Sequence, residues 1–310
     1  MEIQKNIPLK NKNWFKTGGN AKFFCQPTSS KDFQAAIAFA KENNLETFIL
    51  GQGANILISD DGFDGLVINP NNTKITIDAE NEQITSGAGV DIKDLINKAL
   101  DNNLIGLEDF SGIPANVGGA CYMNIHYFNN FFSDFVVKSR ILNLETNKIE
   151  SVSESWFDFG YDVSRFQEKT HYLVNVTFQL KKGTPEEAAY AKGRRDEIIR
   201  QRDRRYPQKN TCGCFFRNFE KEEFKKDTSD KNLPYVAYYL DALGIKGKLA
   251  HENAYVSEKH VNMIITKEGA TSDDVIQLSR KMQKLVFDAY GMLPQPECQL
   301  VGFKEYPLIK

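Results

Sequence analysis

The stretch Asn210-Thr-Cys-Gly-Cys-Phe-Phe-Arg-Asn218 sets two thiols around one glycine and follows them with an aromatic pair, an Arg and an Asn. Four chemistries fit such a run: a metal site, a disulfide, a buried turn, or a turn that presents a proton donor. A bridge between Cys212 and Cys214 would be strained at so short a separation. A structural metal needs about four ligands, and one C-x-C with four dispersed histidines makes no recognisable set. The five cysteines, at 25, 121, 212, 214 and 298, are odd in number and scattered, unlike the framework of a secreted disulfide scaffold. A thiol suits proton donation, because its pKa of about 8.5 makes it far more acidic than an alcohol. The packed turn stays open beside that reading.

Two glycine-bearing segments could hold an anionic ligand: Leu50-Gly-Gln-Gly-Ala-Asn55 and Ser111-Gly-Ile-Pro-Ala-Asn-Val-Gly-Gly-Ala120. Glycine allows positive φ and close approach of backbone to ligand, and successive N–H groups in such turns form anion nests. Neither segment is a G-x-G-x-x-G fingerprint, so a Rossmann site is excluded. Each alone reads as a structural turn, but two of them in neighbouring α/β units point to one shared dinucleotide.

The elements that must position these groups follow from periodicity. Thr28-Ser-Ser-Lys-Asp32 caps a helix whose apolar face is Phe33, Ala36, Ile37 and Ala40. Short strands are expected at 45–50, 56–58 and 66–68. Gln83 to Val90 reads as strand and turn, and Ile92, Leu95, Ile96 and Ala99 mark a second helix face. The irregular run from Gly106 to Asn130 is long for an idle loop. Tyr172, Val174, Val176, Phe178 and Leu180 alternate with polar residues, as in a half-buried strand. Thr184-Pro-Glu-Glu187 is a capping box with Pro at the first helical position. It opens a charged helix to about Arg205, whose mixed signs mark a solvated face rather than an RNA-binding one. Further on, a helix is expected around 233–243, a strand at 261–265, a helix from Ser272 stopped by Gly291, and a final strand at 297–303.

With 39 basic and 41 acidic residues among 310, the net charge of -2 gives no reason to expect nucleic acid or membrane as a partner. No apolar run approaches the roughly 20 residues of a bilayer span. The expected compartment is cytoplasmic.

The blocks Trp14-Phe-Lys-Thr-Gly-Gly-Asn-Ala21, Leu50-Gly-Gln-Gly-Ala-Asn-Ile-Leu57, Gly106-Leu-Glu through Ile113-Pro-Ala-Asn-Val-Gly-Gly-Ala120, Gly160-Tyr161, Cys212-Gly-Cys-Phe-Phe-Arg-Asn218, Val256-Ser-Glu-Lys-His-Val-Asn262 and Pro296-Glu297 come in an order that resembles the UDP-N-acetylenolpyruvoylglucosamine reductase family. The resemblance implies an α+β fold. It would have a two-subdomain FAD-binding module of the vanillyl-alcohol-oxidase (PCMH) type, over 1–70 and 71–183, and a C-terminal α/β substrate domain over 184–310. It implies FAD and NADPH as cofactors, UDP-N-acetylglucosamine enolpyruvate as substrate, and a monomer. The flavin would contact Gly51, Gln52, Gly53, Ala54, Asn55, Ile56, Gly112, Ile113, Pro114, Gly118, Gly119, Ala120 and Asn124. The substrate would contact Tyr161, Arg205, Arg217, Asn218 and His260. Cys214 stands where the family usually has a serine acid, and Glu297 matches a C-terminal glutamate that polarises the enolate or orients the acid.

Three positions depart from the family pattern. Asp162 follows Tyr161 where an enolate-stabilising Arg is common, and Arg165 is expected to replace that Arg if the segment turns helically. Bulky residues fill Ile125 to Phe132, a run that is usually small and that is expected near the isoalloxazine ring. Ala54 replaces a serine. An FAD-dependent oxidase on the same module, or a non-catalytic flavin- or UDP-sugar-binding relative, would share most of these features.

Overall fold

The computed structural model describes residues 1–224 and 233–310. The chain forms two compact units. One comprises Met1–Lys5, Phe23–Gln52 and Gly65–Arg202, the other Asn6–Lys22, Gly53–Asp64 and Asp203–Lys310.

In the first unit, α1 (Ser30–Glu42) starts at a capping box. The Ser29 hydroxyl accepts from Asp32 N at 3.2 Å, and the Asp32 carboxylate accepts from Ser29 N at 3.1 Å. That satisfies two donors no helical carbonyl can reach. Its four expected apolar residues are buried with Leu66, Ile68, Leu142 and Val174. Thr47–Ile49 pairs in parallel with Leu66–Ile68. A five-stranded antiparallel sheet runs in the order 148–153, 136–143, 171–179, 83–87, 75–78. One face carries α2 (Ile92–Asp101), which buries Ile92, Leu95, Ile96, Ala99 and Leu100, and α3 (Val117–Met123), which buries Val117, Ala120 and Cys121.

The central strand His171–Gln179 is not half-buried as its alternation implies. Leu173, Val176 and Phe178 face the core under α2, whereas Val174 and Tyr172 pack with α1. The register skips Val174, since Arg140 pairs with Asn175 and Ile141 with Leu173. A bulge of this kind shifts the parity of the pleat by one, and both faces of the strand are covered. The charged helix α4 (Pro185–Arg205) buries only Ala188, Ala191 and Ile198, as a solvated helix should.

In the second unit, α5 (Val236–Ala242) and α6 (Ser272–Tyr290) share a core with Phe15, Leu57, Phe215, Phe216, Val256 and Ile264. A Thr271–Asp274 capping box opens α6, and Gly291 closes it at φ 68°. Strands 250–251, 254–256 and 264–266 form a small antiparallel sheet, and Gln299–Val301 pairs in parallel with Ile56–Ile58.

Candidate active site

The cysteine turn of the second unit lies between two other backbone segments. On one side Cys214 bridges Met263, and Phe215 N donates to Asn262 O at 2.8 Å. The buried Asn262 side chain closes this edge by donating to Phe216 O at 2.8 Å and accepting from Phe216 N at 3.1 Å. On the other side Phe216 bridges Pro296, and Glu297 N donates to Phe215 O at 2.9 Å. Phe215 and Phe216 are buried to 0% and 1% exposure and clamp the turn into the core. Gly213 adopts φ +83° with nothing within 4 Å of where a Cβ would stand, so conformation rather than space selects glycine there.

Cys212 and Cys298 are buried while Cys214 is half-exposed. Burial, with the neighbouring Cys298 thiol, pushes the Cys212 pKa well up. Cys212 is thus a packing thiol and Cys214 the one presented. None of the five cysteines forms a disulfide. Beyond Glu297, Gln299 N donates to Asn55 O at 3.1 Å. The Gly53–Ile56 part of the first glycine segment is therefore tied by backbone bonds to the strand Gln299–Val301, which follows Glu297.

The substrate candidates of this unit divide. Arg205 lies 5.5 Å from the Tyr206 ring, and Tyr206 lies 5.6 Å from His260. Burial first, then the charges of Lys246 and Arg205, lower the His260 pKa to about 4, so the ring is neutral at pH 7. Its Nδ1 is buried without a hydrogen bond. Arg217 is engaged differently. Its fork grips Glu223 at 2.8 and 2.9 Å and also donates to Asn218 O at 2.9 Å, and Glu223 holds its pKa up.

In the first unit the two glycine segments meet. A Cβ on Gly51 would lie 2.8 Å from Asn116 Oδ1. Gln52 donates to Asp91 at 2.6 Å, and Asp91 bridges Asn116. The N–H groups at the start of α3 are consumed inside the protein: Val117 N by Val90 O, Gly118 N by Ala88 O, Gly119 N by Asn116 Oδ1 and Ala120 N by Asn116 O. The nest expected at 118–120 therefore does not offer these donors. Gly118 serves close packing instead, since a Cβ there would stand 3.1 Å from Ala88 O. Gly112 is exposed at φ +76°, Ile113 and Pro114 are half-buried, and the buried Ser111 hydroxyl has no hydrogen-bond partner. Asn124 is spent on the fold, donating to Gly160 O at 2.9 Å and accepting from Ser133 N at 3.0 Å.

Among the described residues Arg165, expected to take the place of the family's Arg, forms no ion pair with Asp162. Asp162 takes φ 56°, Ser164 is extended, and Arg165 opens a 3-10 turn with its guanidinium 5.2 Å from the Trp156 ring. Asp162 instead lies 3.4 Å from His126 Nδ1. The His126 ring is 4.4 Å from Tyr161 and 5.5 Å from Phe131. The bulky run forms a small hairpin, Phe131 opposite His126 and Asn130 opposite Tyr127. Sequence reasoning marked this run as a departure but gave His126 no role. Its partner lies 36 positions away, and nothing in either segment alone announces the pairing.

A family model for an FAD binding domain matches residues 21–153. A model for the C-terminal domain of UDP-N-acetylenolpyruvoylglucosamine reductase matches residues 205–301. The reductase of Clostridium novyi is 31% identical over 302 residues, 97% of this chain and 92% of that one. The reductase of Caldicellulosiruptor saccharolyticus is 30% identical over 100% of this chain and 95% of its own. The crystal structure of the Thermus caldophilus reductase superposes with a TM-score of 0.77 at 24% identity, covering 97% and 99% of the two chains. A 6-hydroxy-D-nicotine oxidase from Arthrobacter nicotinovorans shares the fold at TM-score 0.55 and 12% identity, covering 94% and 86%. By its identity to full-length relatives and by both domain models, the chain belongs to the UDP-N-acetylenolpyruvoylglucosamine reductase family.

Proposed function

We propose that the protein reduces the enolpyruvyl ether of UDP-N-acetylglucosamine to the lactyl ether in peptidoglycan precursor synthesis, with NADPH as donor and Cys214 as acid. The observation that carries this reading is the backbone pairing of the turn bearing Cys214 with the segment bearing Glu297, itself joined to the Gly53–Ile56 loop.

The residues present fit a flavin dinucleotide. Gly51 and Gln52 lie against Asn116 and Asp91, and the Ser111 hydroxyl beside Gly112 has unspent bonding capacity. The chemistry that FAD would supply there is hydride transfer from NADPH to the terminal enolpyruvyl carbon. The chain must then hold the developing negative charge and protonate the adjacent carbon. Cys214 Sγ gives that proton and is left a thiolate, to be reprotonated from solvent. Its half-exposed position allows this exchange, and the Phe215–Asn262 clamp fixes its aim. Glu297, on the segment whose backbone pairs with the turn, orients the thiol. Arg205 and neutral His260 offer a cation and a buried ring nitrogen to the nucleotide-sugar.

Among the described residues no helix is long and apolar enough to cross a membrane. The working form we propose is a cytoplasmic monomer.

Anaerobic addition of NADPH should bleach the flavin band, and the enolpyruvyl substrate should restore it. Bleaching without recovery would overturn the substrate assignment. Flavin that stays with the denatured protein would instead place the chain with covalent oxidases.

A further inference from the structure

A thiol in the place of an alcohol acid brings a liability, because sulfur is oxidised stepwise and the later steps are irreversible. Cys214 is half-exposed, and a second thiol stands two residues away. Cys212 is buried, with its Sγ 3.8 Å from Gly213 O and 4.0 Å from Cys214 O, so it lies folded back over its own turn. The Cys298 thiol is its hydrogen-bonding neighbour. The proposed protonation uses neither buried thiol.

The backbone keeps Cys212 and Cys214 together and leaves room between them. Asn210 O accepts from Thr266 N at 2.9 Å and Phe215 N donates to Asn262 O at 2.8 Å, so the run is held on both sides of the pair. Between them Gly213 N donates to Thr211 Oγ1 at 3.3 Å, a long bond that is readily given up. Gly213 stands at φ +83° with open space where a Cβ would be. A glycine so placed can turn to close a ring that another residue would resist. Burial keeps Cys212 protonated, which protects it from oxidants in bulk solution. Its nearness offsets that handicap once Cys214 is oxidised, since a thiol held in the same turn acts at a high effective concentration.

We propose that Cys212 is the resolving thiol for Cys214: when a peroxide oxidises Cys214, the pair closes into a Cys212–Cys214 disulfide that keeps the acid in a reversible form. The Cys214 sulfur attacks one peroxide oxygen. An S–O bond forms, the O–O bond breaks, and a sulfenic acid and one water result. Cys212 Sγ then attacks the Cys214 sulfur. An S–S bond forms, the S–O bond breaks, and the hydroxyl leaves as a second water with the Cys212 proton. In all, two electrons pass from the thiol pair to the peroxide. The strain of so short a ring makes the bond easy to reduce, so a dithiol reductant restores Cys214. The consequence for turnover rests on Cys214 being the acid proposed above, whereas the sulfur chemistry does not.

The test treats the flavin-loaded protein with hydrogen peroxide, without NADPH, with and without dimedone, which traps sulfenic acids. Cleavage after Lys209 and Arg217 then gives a peptide that holds Cys212 and Cys214 but not Cys298. In the wild type this peptide should lose two hydrogens, resist alkylation, take up little dimedone, and regain both thiols with dithiothreitol. In Cys212→Ala the trapped dimedone should rise about tenfold, and longer exposure should carry Cys214 to a sulfinic acid that dithiothreitol cannot reverse. Cys298→Ser should still form the bridge. Dithiothreitol should restore substrate-driven flavin reoxidation to peroxide-treated wild type and not to treated Cys212→Ala. A wild-type bridge to Cys298, or wild-type Cys214 trapped as fully as in Cys212→Ala, overturns the assignment. The wild-type peptide alone can overturn it, so the test survives a Cys212→Ala protein that fails to fold. Because the peptide reads sulfur and not turnover, an enolpyruvyl substrate that fails to reoxidise the flavin would overturn the substrate reading and leave this assignment standing.

Discussion

Cys214 carries two separable properties, acidity and accessibility, and each can be tested at the residue. As proton donor, its loss should affect only the second half of the cycle. Cys214→Ala is expected to leave flavin reduction by NADPH unchanged and to slow reoxidation by substrate by about 10²–10⁴-fold, the usual worth of a positioned acid. Cys214→Ser, which keeps an O–H donor, should recover most of that loss. Stopped-flow traces of the two half-reactions decide the matter, and an equal fall in both halves would make the residue structural. As the half-exposed thiol, Cys214 should also be alkylated first. Cys25, raised to about 12 by burial, and Cys121 and Cys212, pushed up by the same desolvation, hold little thiolate at neutral pH. Native alkylation followed by peptide mass mapping should find Cys214 modified well ahead of these three, and substrate should slow it.

The elements show why some features were legible from sequence and others were not. Helices α1, α2 and α6 declare themselves through apolar residues three and four apart and, in α1 and α6, through reciprocal caps. These are local signals. The bulge at Val174 is not local, since it exists only in the register against Arg140 and Ile141. The same limit applies to the site. The cysteine turn and Glu297 can be picked out as blocks, but their adjacency is made by backbone bonds between Phe215 and the segments near 262 and 297. Asn262 makes the dependence testable, because its buried amide satisfies both the N–H and the C=O of Phe216. Asn262→Ala would strand two buried backbone groups, at about 1–3 kcal/mol each. The variant should melt at lower temperature and lose turnover beyond what its unfolded fraction explains, because the turn that aims Cys214 is loosened. Asn262→Asp keeps the acceptor and should fall between the two. A destabilised protein with unchanged kcat per folded molecule would separate the clamp from the chemistry.

At the scale of the whole chain, the two units should respond differently to mild acid, and His260 is the reason. Its folded pKa of about 4 lies below the ordinary value of 6.5, because burial and the nearby Lys246 and Arg205 disfavour the charged ring. The unfolded chain therefore takes up a proton between about pH 6.5 and 4 that the folded unit refuses. Stability is complete above 6.5, falls through that window, and levels off once the folded ring also protonates. The integrated loss is of order 3 kcal/mol. In the first unit the Asp32 carboxylate, brought down to about 2 chiefly by the Thr28 hydroxyl, works the other way. Its contribution is present above about pH 4 and goes only at more acid pH. Nature has placed one tryptophan in each unit, Trp156 in the first and Trp14 in the second. Trp156→Phe and Trp14→Phe thus leave one reporter apiece. Urea titrations at pH 7 and pH 4.5 should show the Trp14 transition moving to lower urea in acid by more than the Trp156 transition. His260→Gln in the Trp156→Phe background should remove most of that extra shift. If His260→Gln loses as much between the two pH values as its parent, the acid sensitivity of the second unit comes from its carboxylates and not from this ring.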